Sequence, residues 1–245
     1  HGCPHFLDVL EFRAEEKLSQ PWLYNVTVTC LADDIRAGEM LLKPASFTFQ
    51  VPPYDGTPAV PVRTVFGVVH AFRRLSTSAD ETHYALTVVP RIALMQHTKR
   101  SEIYLNQSVT EVVEKVLRTH GLEGADFEFR LSQSYPVREL ITQWRETDLE
   151  FVRRLLAEVG IFWRFEMDSR LEQDVVIFQD SPQQYRSGVT LPLIPPSRTS
   201  ANGQLSVWDI RTDSDVVSAR VATRDYNSRD ALTPRDSTVS AGGSE

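Results

Sequence analysis

Hydrophobic and polar positions are ordered most regularly over residues 143–165. Leu149, Val152, Leu155, Leu156 and Val159 recur at helical spacing and make one apolar face. Thr147 and Glu150 stand at capping-box spacing, in which a hydroxyl and a carboxylate satisfy two orphan donors at a helix start. Gly160 follows the last apolar residue, where helices commonly turn left-handed and stop. Ile161, Trp163 and Phe165 then alternate with Phe162 and Arg164, the period of a strand with one buried face. The pattern predicts a helix over Thr147–Val159 set between two strands, a βαβ-like packing unit.

Upstream, the period is that of β structure. Tyr24 to Cys30 alternates apolar and polar, and Phe47 to Val51 alternates again before a turn at Pro52–Gly56. Val65 to Phe72 and Tyr84 to Val89 are two further strands, joined by the polar loop Ser76–Thr82. Several short strands broken by turns predict a barrel or sandwich. At Arg91–Met95 the period changes to a short helical turn that leaves this β region. Ser108 and Glu111 form a second capping box, followed by Val109, Val112, Val113, Val116 and Leu117 on one helical face, with Gly121 as the stop. Phe127–Leu131, Glu139–Trp144 and Asp174–Phe178 complete the strands of an α+β region, with a turn at Ser132–Pro136. Residues 180–204 are rich in Pro, Ser and Gln, so residues 186–204 are the best linker. Leu205–Ile210 and Val216–Thr223 are expected to be a pair of strands. Asn227–Glu245, poor in large apolar residues, is expected to be a flexible tail.

Composition narrows the function classes. Among 245 residues, 26 are Lys or Arg and 33 are Asp or Glu, and the net charge of −7 argues against nucleic-acid binding. No run approaches the roughly 18–20 apolar residues that cross a bilayer. Cys3 and Cys30 make no disulfide framework and lack zinc-ligand spacing, so both are expected as thiols, with Cys30 in the core. The histidines at 1, 5, 70, 83, 97 and 120 form no paired helical metal motif, and no nucleophile elbow or phosphate-binding glycine loop occurs. His70 and His83 sit on strands expected to pair, a placement read as structural for want of further ligands. His120, in the last turn of a helix, is accounted for by the helix dipole. Glu146, Asp148 and Glu150 raise the question of a two-carboxylate glycosidase site, but Asp148 and Glu150 fall in a first helical turn, where negative charge is stabilised. Asn25–Thr27 matches a glycosylation acceptor inside a strand and is read as coincidence. Trp144, Trp163 and Trp208 are expected in the core. No catalytic, cofactor-binding or metal residues are assigned, and no cofactor is expected.

As a string, residues 143–165 closely resemble the hub domain of the VgrG family, the spike proteins of bacterial type VI secretion, and their phage late-control-D relatives. Leu18-Ser19-Gln20-Pro21-Trp22 resembles that family's entry into its first barrel. Gly67-Val68-Val69 with Phe72, Tyr84 to Pro90, Ser101 to Ser108 and Arg224-Asp225-Tyr226-Asn227 extend the resemblance, in order, from about Glu11 to Asn227. The resemblance implies an α+β, mainly β, baseplate-hub-like fold: a first tube-like β-barrel over 1–95, an α+β hub domain over 96–185, the linker over 186–204, and the start of a second barrel with a tail over 205–245. It places the rest of that barrel, an OB-like domain and a β-helical needle beyond Glu245. It implies a structural role and no enzyme activity: a homotrimer forming a pseudo-sixfold hub that caps the Hcp tube and carries a needle and effectors. The implied partners are further copies of the chain, the Hcp tube protein, baseplate components, effector or adaptor proteins, and a spike-tip protein reached through the needle. Such a protein is made and assembled in the bacterial cytoplasm and exported on contraction to the extracellular space or the target cell. The hub of a contractile phage tail or tailocin is the alternative, and a cell-wall hydrolase a more distant one.

Overall fold

The computed structural model describes residues 5–51, 58–185, 190–194, 207, 209–216, 218–226 and 230–240. The chain divides into two units, residues 1–188 and 189–245.

The first unit begins with a curled antiparallel sheet. Its strands are β1 (Asp8–Glu15), β2 (Leu23–Cys30), β3 (Pro44–Val51), β4 (Val60–Thr77) and β5 (Thr82–Val89), in the order β1-β2-β5-β4-β3. A short helix, α1 (Ala37–Met40), lies between β2 and β3. Alternation decides the faces: Tyr24, Val26, Val28 and Cys30 of β2 are buried, as are Tyr84, Leu86 and Val88 of β5. β4 changes partner along its 18 residues, its first half pairing with β3 and its second half with β5. This bend brings the two sheet edges towards each other. Phe12 of β1 meets Phe47 and Phe49 of β3, with ring centroids 4.9 and 5.5 Å apart. Glu16, just after β1, accepts hydrogen bonds from Tyr24 and from Arg63 of β4. The sheet is thus a half-barrel whose edges touch through side chains and not through a backbone ladder.

Pro90 leads out of β5 into a 3-10 helix, Arg91–His97. A second lobe follows: β6 (Lys99–Gln107), α2 (Val109–Thr119), β7 (Phe127–Arg130), β8 (Arg138–Thr147), α3 (Asp148–Glu158), β9 (Phe162–Asp168) and β10 (Gln173–Gln179). Both capping boxes form, Ser108 with Glu111 and Thr147 with Glu150. Gly121 and Gly160, each at φ +74°, follow the helix ends in the left-handed region. The apolar faces of the two helices (Val112, Val113, Leu117, Phe151, Val152 and Leu155) are fully buried together with Trp163, Val176 and Phe178. The two lobes are stitched by β9. Trp163 belongs to the helical core, Met167 packs on the half-barrel core, and Phe165 between them touches both. Ser19, at φ 57°, donates its backbone N–H to the Trp163 carbonyl at 2.8 Å and ties the Leu18–Trp22 segment to the same strand.

Several expectations are corrected. The strands flanking α3 do not share a sheet: β8 pairs with β6 as a two-stranded ribbon, while β9 joins β7 and β10 in the order β7-β10-β9. α3 therefore makes no βαβ crossover, because the β8 ladder is taken by β6 and that of β9 by β10. β1 and β6 are strands the pattern did not announce, since β1 has no buried position and β6 only one, Tyr104. Trp163 is buried, but Trp144 is 66% exposed on the outer face of the ribbon. In the second unit, β11 (Arg220–Asp225) pairs with β12 (Arg235–Ser240), so part of the expected tail is a strand. Its register is pinned by a two-pronged pair between Arg224 and Asp236, at 2.7 and 2.9 Å, which does not need large apolar residues. Val207 makes an isolated bridge to Leu193, and not the expected pairing with the Val216–Thr223 segment. The turn at Pro52–Gly56, Cys3 and Trp208 lie outside the described residues.

Candidate functional site

The three carboxylates around the start of α3 are each engaged by neighbours. Glu146 takes a two-pronged bond from Arg154, at 2.8 and 3.1 Å. Glu150 accepts from the Thr147 backbone N–H and hydroxyl, at 2.8 and 2.9 Å, and these bonds hold its carboxyl below the usual range. Asp148 is more deeply buried than a dipole argument requires, at 1% exposure. Its Oδ1 accepts from Gln143 at 2.8 Å, and its Oδ2 faces His120 Nε2 at 2.7 Å and Arg100 Nε at 3.1 Å. This network joins β6, β8, α2 and α3, and it uses His120, at the end of α2, as a partner as well as a dipole complement. Each oxygen is committed to fastening elements together, which is a structural use of charge. Asn25 is likewise occupied, accepting from the Thr87 hydroxyl at 2.8 Å.

His70 and His83 lie on paired strands but do not meet. The β4–β5 register sets Ser76 against His83, and a bulge between Val69 and Ala71 leaves His70 without an opposite residue. His83 pairs with Glu81 at 2.9 Å. His70 instead faces His97, with the two Nε2 atoms 3.0 Å apart. Among the described residues, no group of three or more His, Cys, Asp or Glu side chains is arranged to hold a metal ion.

What the surface does offer is apolar area on strands. In the β6–β8 ribbon, Tyr104, Ile141 and Gln143 point into the core, so their neighbours Ile103, Leu105, Leu140 and Trp144 point out, each 56–66% exposed. Arg145, at φ 51°, lays its guanidinium 5.2 Å from the Trp144 ring centroid. A second apolar strip runs along the half-barrel seam, where Val9 and Phe12 are about half exposed and a cavity of about 220 Å³ opens between β1 and β3. Contiguous apolar patches of this kind mark contact surfaces.

The family model for the phage tail baseplate hub (GPD) matches residues 15–244. The chain belongs to this family. The hub chain is 30% identical over 179 residues to the type VI secretion system spike protein VgrG4b of Pseudomonas aeruginosa, covering 73% of this chain and 21% of that protein. To VgrG1b of the same organism it is 27% identical over 227 residues, covering 90% of this chain and 29% of the relative. The hub chain thus spans less than a third of the length of these two relatives. A solved structure of the Escherichia coli c3393 protein matches with a TM-score of 0.71 and 39% identity, over 78% of this chain and 51% of that one. That protein is described as a component of the type VI secretion system with structural similarity to the T4 bacteriophage tail proteins gp27 and gp5. A chain of the half-lidded Francisella PdpA–VgrG complex shares the fold, with a TM-score of 0.50 at 13% identity. These relatives are described as spike proteins and as a component of the type VI secretion system.

Proposed function

We propose that this chain is the hub region of a type VI secretion spike, forming a homotrimer whose pseudo-sixfold ring caps the Hcp tube and carries a needle and effectors. The observation that carries the reading is the 39% identity, at a TM-score of 0.71, to a type VI secretion component. The outward apolar face of the β6–β8 ribbon and the uncovered half-barrel seam support it, because a closed ring needs heterologous patches repeated around an axis. In this role the protein works mechanically. It matches the symmetry of a threefold needle to a sixfold tube, is assembled in the cytoplasm against baseplate components, and leaves the cell when the sheath contracts. Effector or adaptor proteins are further partners, a spike-tip protein would join through the needle, and no bond-making chemistry is assigned to this chain.

The test is the native mass, by light scattering, of the full-length product, followed by end-on binding to Hcp tubes. A trimer that caps tubes is the expected result, and a well-folded monomer that ignores them refutes the reading. The family's phage-tail description favours a second reading, the hub of a contractile phage tail or tailocin. A long β-helical segment encoded after Glu245 would favour secretion, and a gene ending soon after would favour the phage tail.

A further inference from the structure

Three side chains meet where the half-barrel hands over to the second lobe. His70 stands at the β4 bulge, and Gln96 and His97 end the 3-10 helix that follows β5. His70 Nε2 lies 3.0 Å from His97 Nε2, and the Gln96 amide nitrogen lies 3.3 Å from the first and 3.5 Å from the second. The two imidazole rings have centroids 5.2 Å apart and planes inclined by 18°.

As a hydrogen-bonded cluster this triangle is over-subscribed. A neutral imidazole nitrogen offers either one N–H or one lone pair. If one Nε2 donates to the other, the acceptor's lone pair is taken, and the Gln96 N–H that also approaches it has nothing left to bond. Turning the Gln96 amide over puts its oxygen at the same corner. All three corners then present lone pairs.

We propose that His70 Nε2, His97 Nε2 and the Gln96 side-chain oxygen bind one divalent ion of the zinc type, with water as the fourth ligand. A tetrahedral ion 2.0–2.1 Å from its nitrogen and oxygen ligands sets them about 3.3 Å apart, and sets two liganding imidazole centroids about 5.2 Å apart. The observed edges of 3.0, 3.3 and 3.5 Å bracket the first distance, and the ring separation equals the second. Only the His70–His97 edge must widen, by a few tenths of an ångström. Glu15, the carboxylate lining the adjoining cleft, is held by Lys17, and Arg153 is the other charged group there. The ligands are therefore two imidazoles and an amide, an open site of moderate affinity that fastens β4 to a segment 27 residues further along the chain.

The test is calorimetric titration of zinc chloride into the chelator-stripped protein at about pH 7.5, where free imidazoles are neutral. One site per chain is expected, with affinity falling tenfold or more in His70→Ala and His97→Ala, a few-fold in Gln96→Ala, and not at all in His83→Ala. Zinc at about a hundred times Kd should raise Tm by roughly 5–10 °C in the wild type and leave the two histidine variants unmoved. Absence of saturable binding below about 1 mM zinc overturns the proposal. So does undiminished binding in a His97→Ala protein whose circular dichroism matches the wild type.

Discussion

Gly67 is the position where one added methyl group should cost most. It lies on β4 opposite Ala45, just before the strand changes partner. A Cβ built there would meet the Trp22 ring at Cη2 and the Val89 carbonyl oxygen, both well inside the 3.0 Å that real Cβ atoms keep, with Trp22 Cζ2 at 3.0 Å as well. One obstacle is a side chain and the other is backbone. Trp22 is 2% exposed and packs edge-on to Tyr24 and Phe165, so its ring cannot swing aside without breaking those contacts. The Val89 carbonyl belongs to β5, and moving it disturbs the ladder that holds β4.

Overpacking of this kind costs about 1–3 kcal/mol, which for a chain of this size is a fall in Tm of roughly 3–9 °C for Gly67→Ala. Thermal and urea unfolding followed by circular dichroism would measure it. Trp22→Phe separates the two obstacles: it removes the ring edge nearest Gly67 and the Trp22 indole N–H, which has no hydrogen-bond partner. In that background Gly67→Ala should cost less, by about 0.5–1.5 kcal/mol, and still not be neutral, because the carbonyl remains. A Gly67→Ala protein within about 0.5 kcal/mol of wild type would refute the packing argument outright.

Other outcomes follow from the same contacts. Replacing Ser108 or Thr147 by Ala should each cost about 1 kcal/mol in urea unfolding, because each side chain caps its helix through the third residue's N–H. Phe151→Ala, deleting a fully buried ring stacked on Tyr104, should cost about 3–5 kcal/mol. Acid should destabilise the fold. Burial works to raise the Glu158 carboxyl, but Arg138 and Arg154 outweigh it and leave the carboxyl below its ordinary value, and Glu150 is held low by Thr147. Groups with depressed folded pKa values bind fewer protons in the native state. Their stabilisation is present above about pH 4.3 and is lost as pH falls through the folded values, a slope that Glu158→Gln should flatten in pH-dependent urea melts. Leu105→Glu with Trp144→Ala should leave the isolated chain's Tm nearly unchanged while abolishing self-association of the full-length protein by light scattering. A trimer unaffected by both would show that the ribbon faces solvent.

The sequence was most legible where local chemistry and burial agree. The capping boxes, the apolar helix faces and the glycines at 121 and 160 all sit where their spacing put them, because each is decided within about four residues. β2 was legible by alternation, and β5 and β10 as apolar runs bounded by polar segments. β1 and β6 were not, since with at most one buried position neither displays a pattern, and each exists because a neighbour offers it a ladder. Pairing across distance was equally hidden. Nothing in the spacing says that β8 joins β6 instead of β9, or that Trp144 turns outward while Trp163 turns in. The carboxylates were read as structural from helix position alone, and the depth of Asp148, which depends on His120, Arg100 and Gln143 arriving from three other elements, was hidden. The His70–His97 contact was out of reach for a related reason: a bulge in β4 displaces His70 from the partner that strand pairing suggests.

The position of Phe165 bears on how such chains can be recombined. Because one side chain serves two cores, and Trp163 and Met167 on the same strand serve one each, the lobes are not interchangeable modules. A graft that exchanged residues 96–185 between relatives at a convenient loop would bring a foreign β9 against the resident Trp22 and Phe66. The inheritable piece is instead the pair of lobes, so a working chimaera should have its crossover points outside them both. Divergence within a lineage should show the same linkage, with changes at Trp22 answered by changes at Phe165 some hundred and forty residues away.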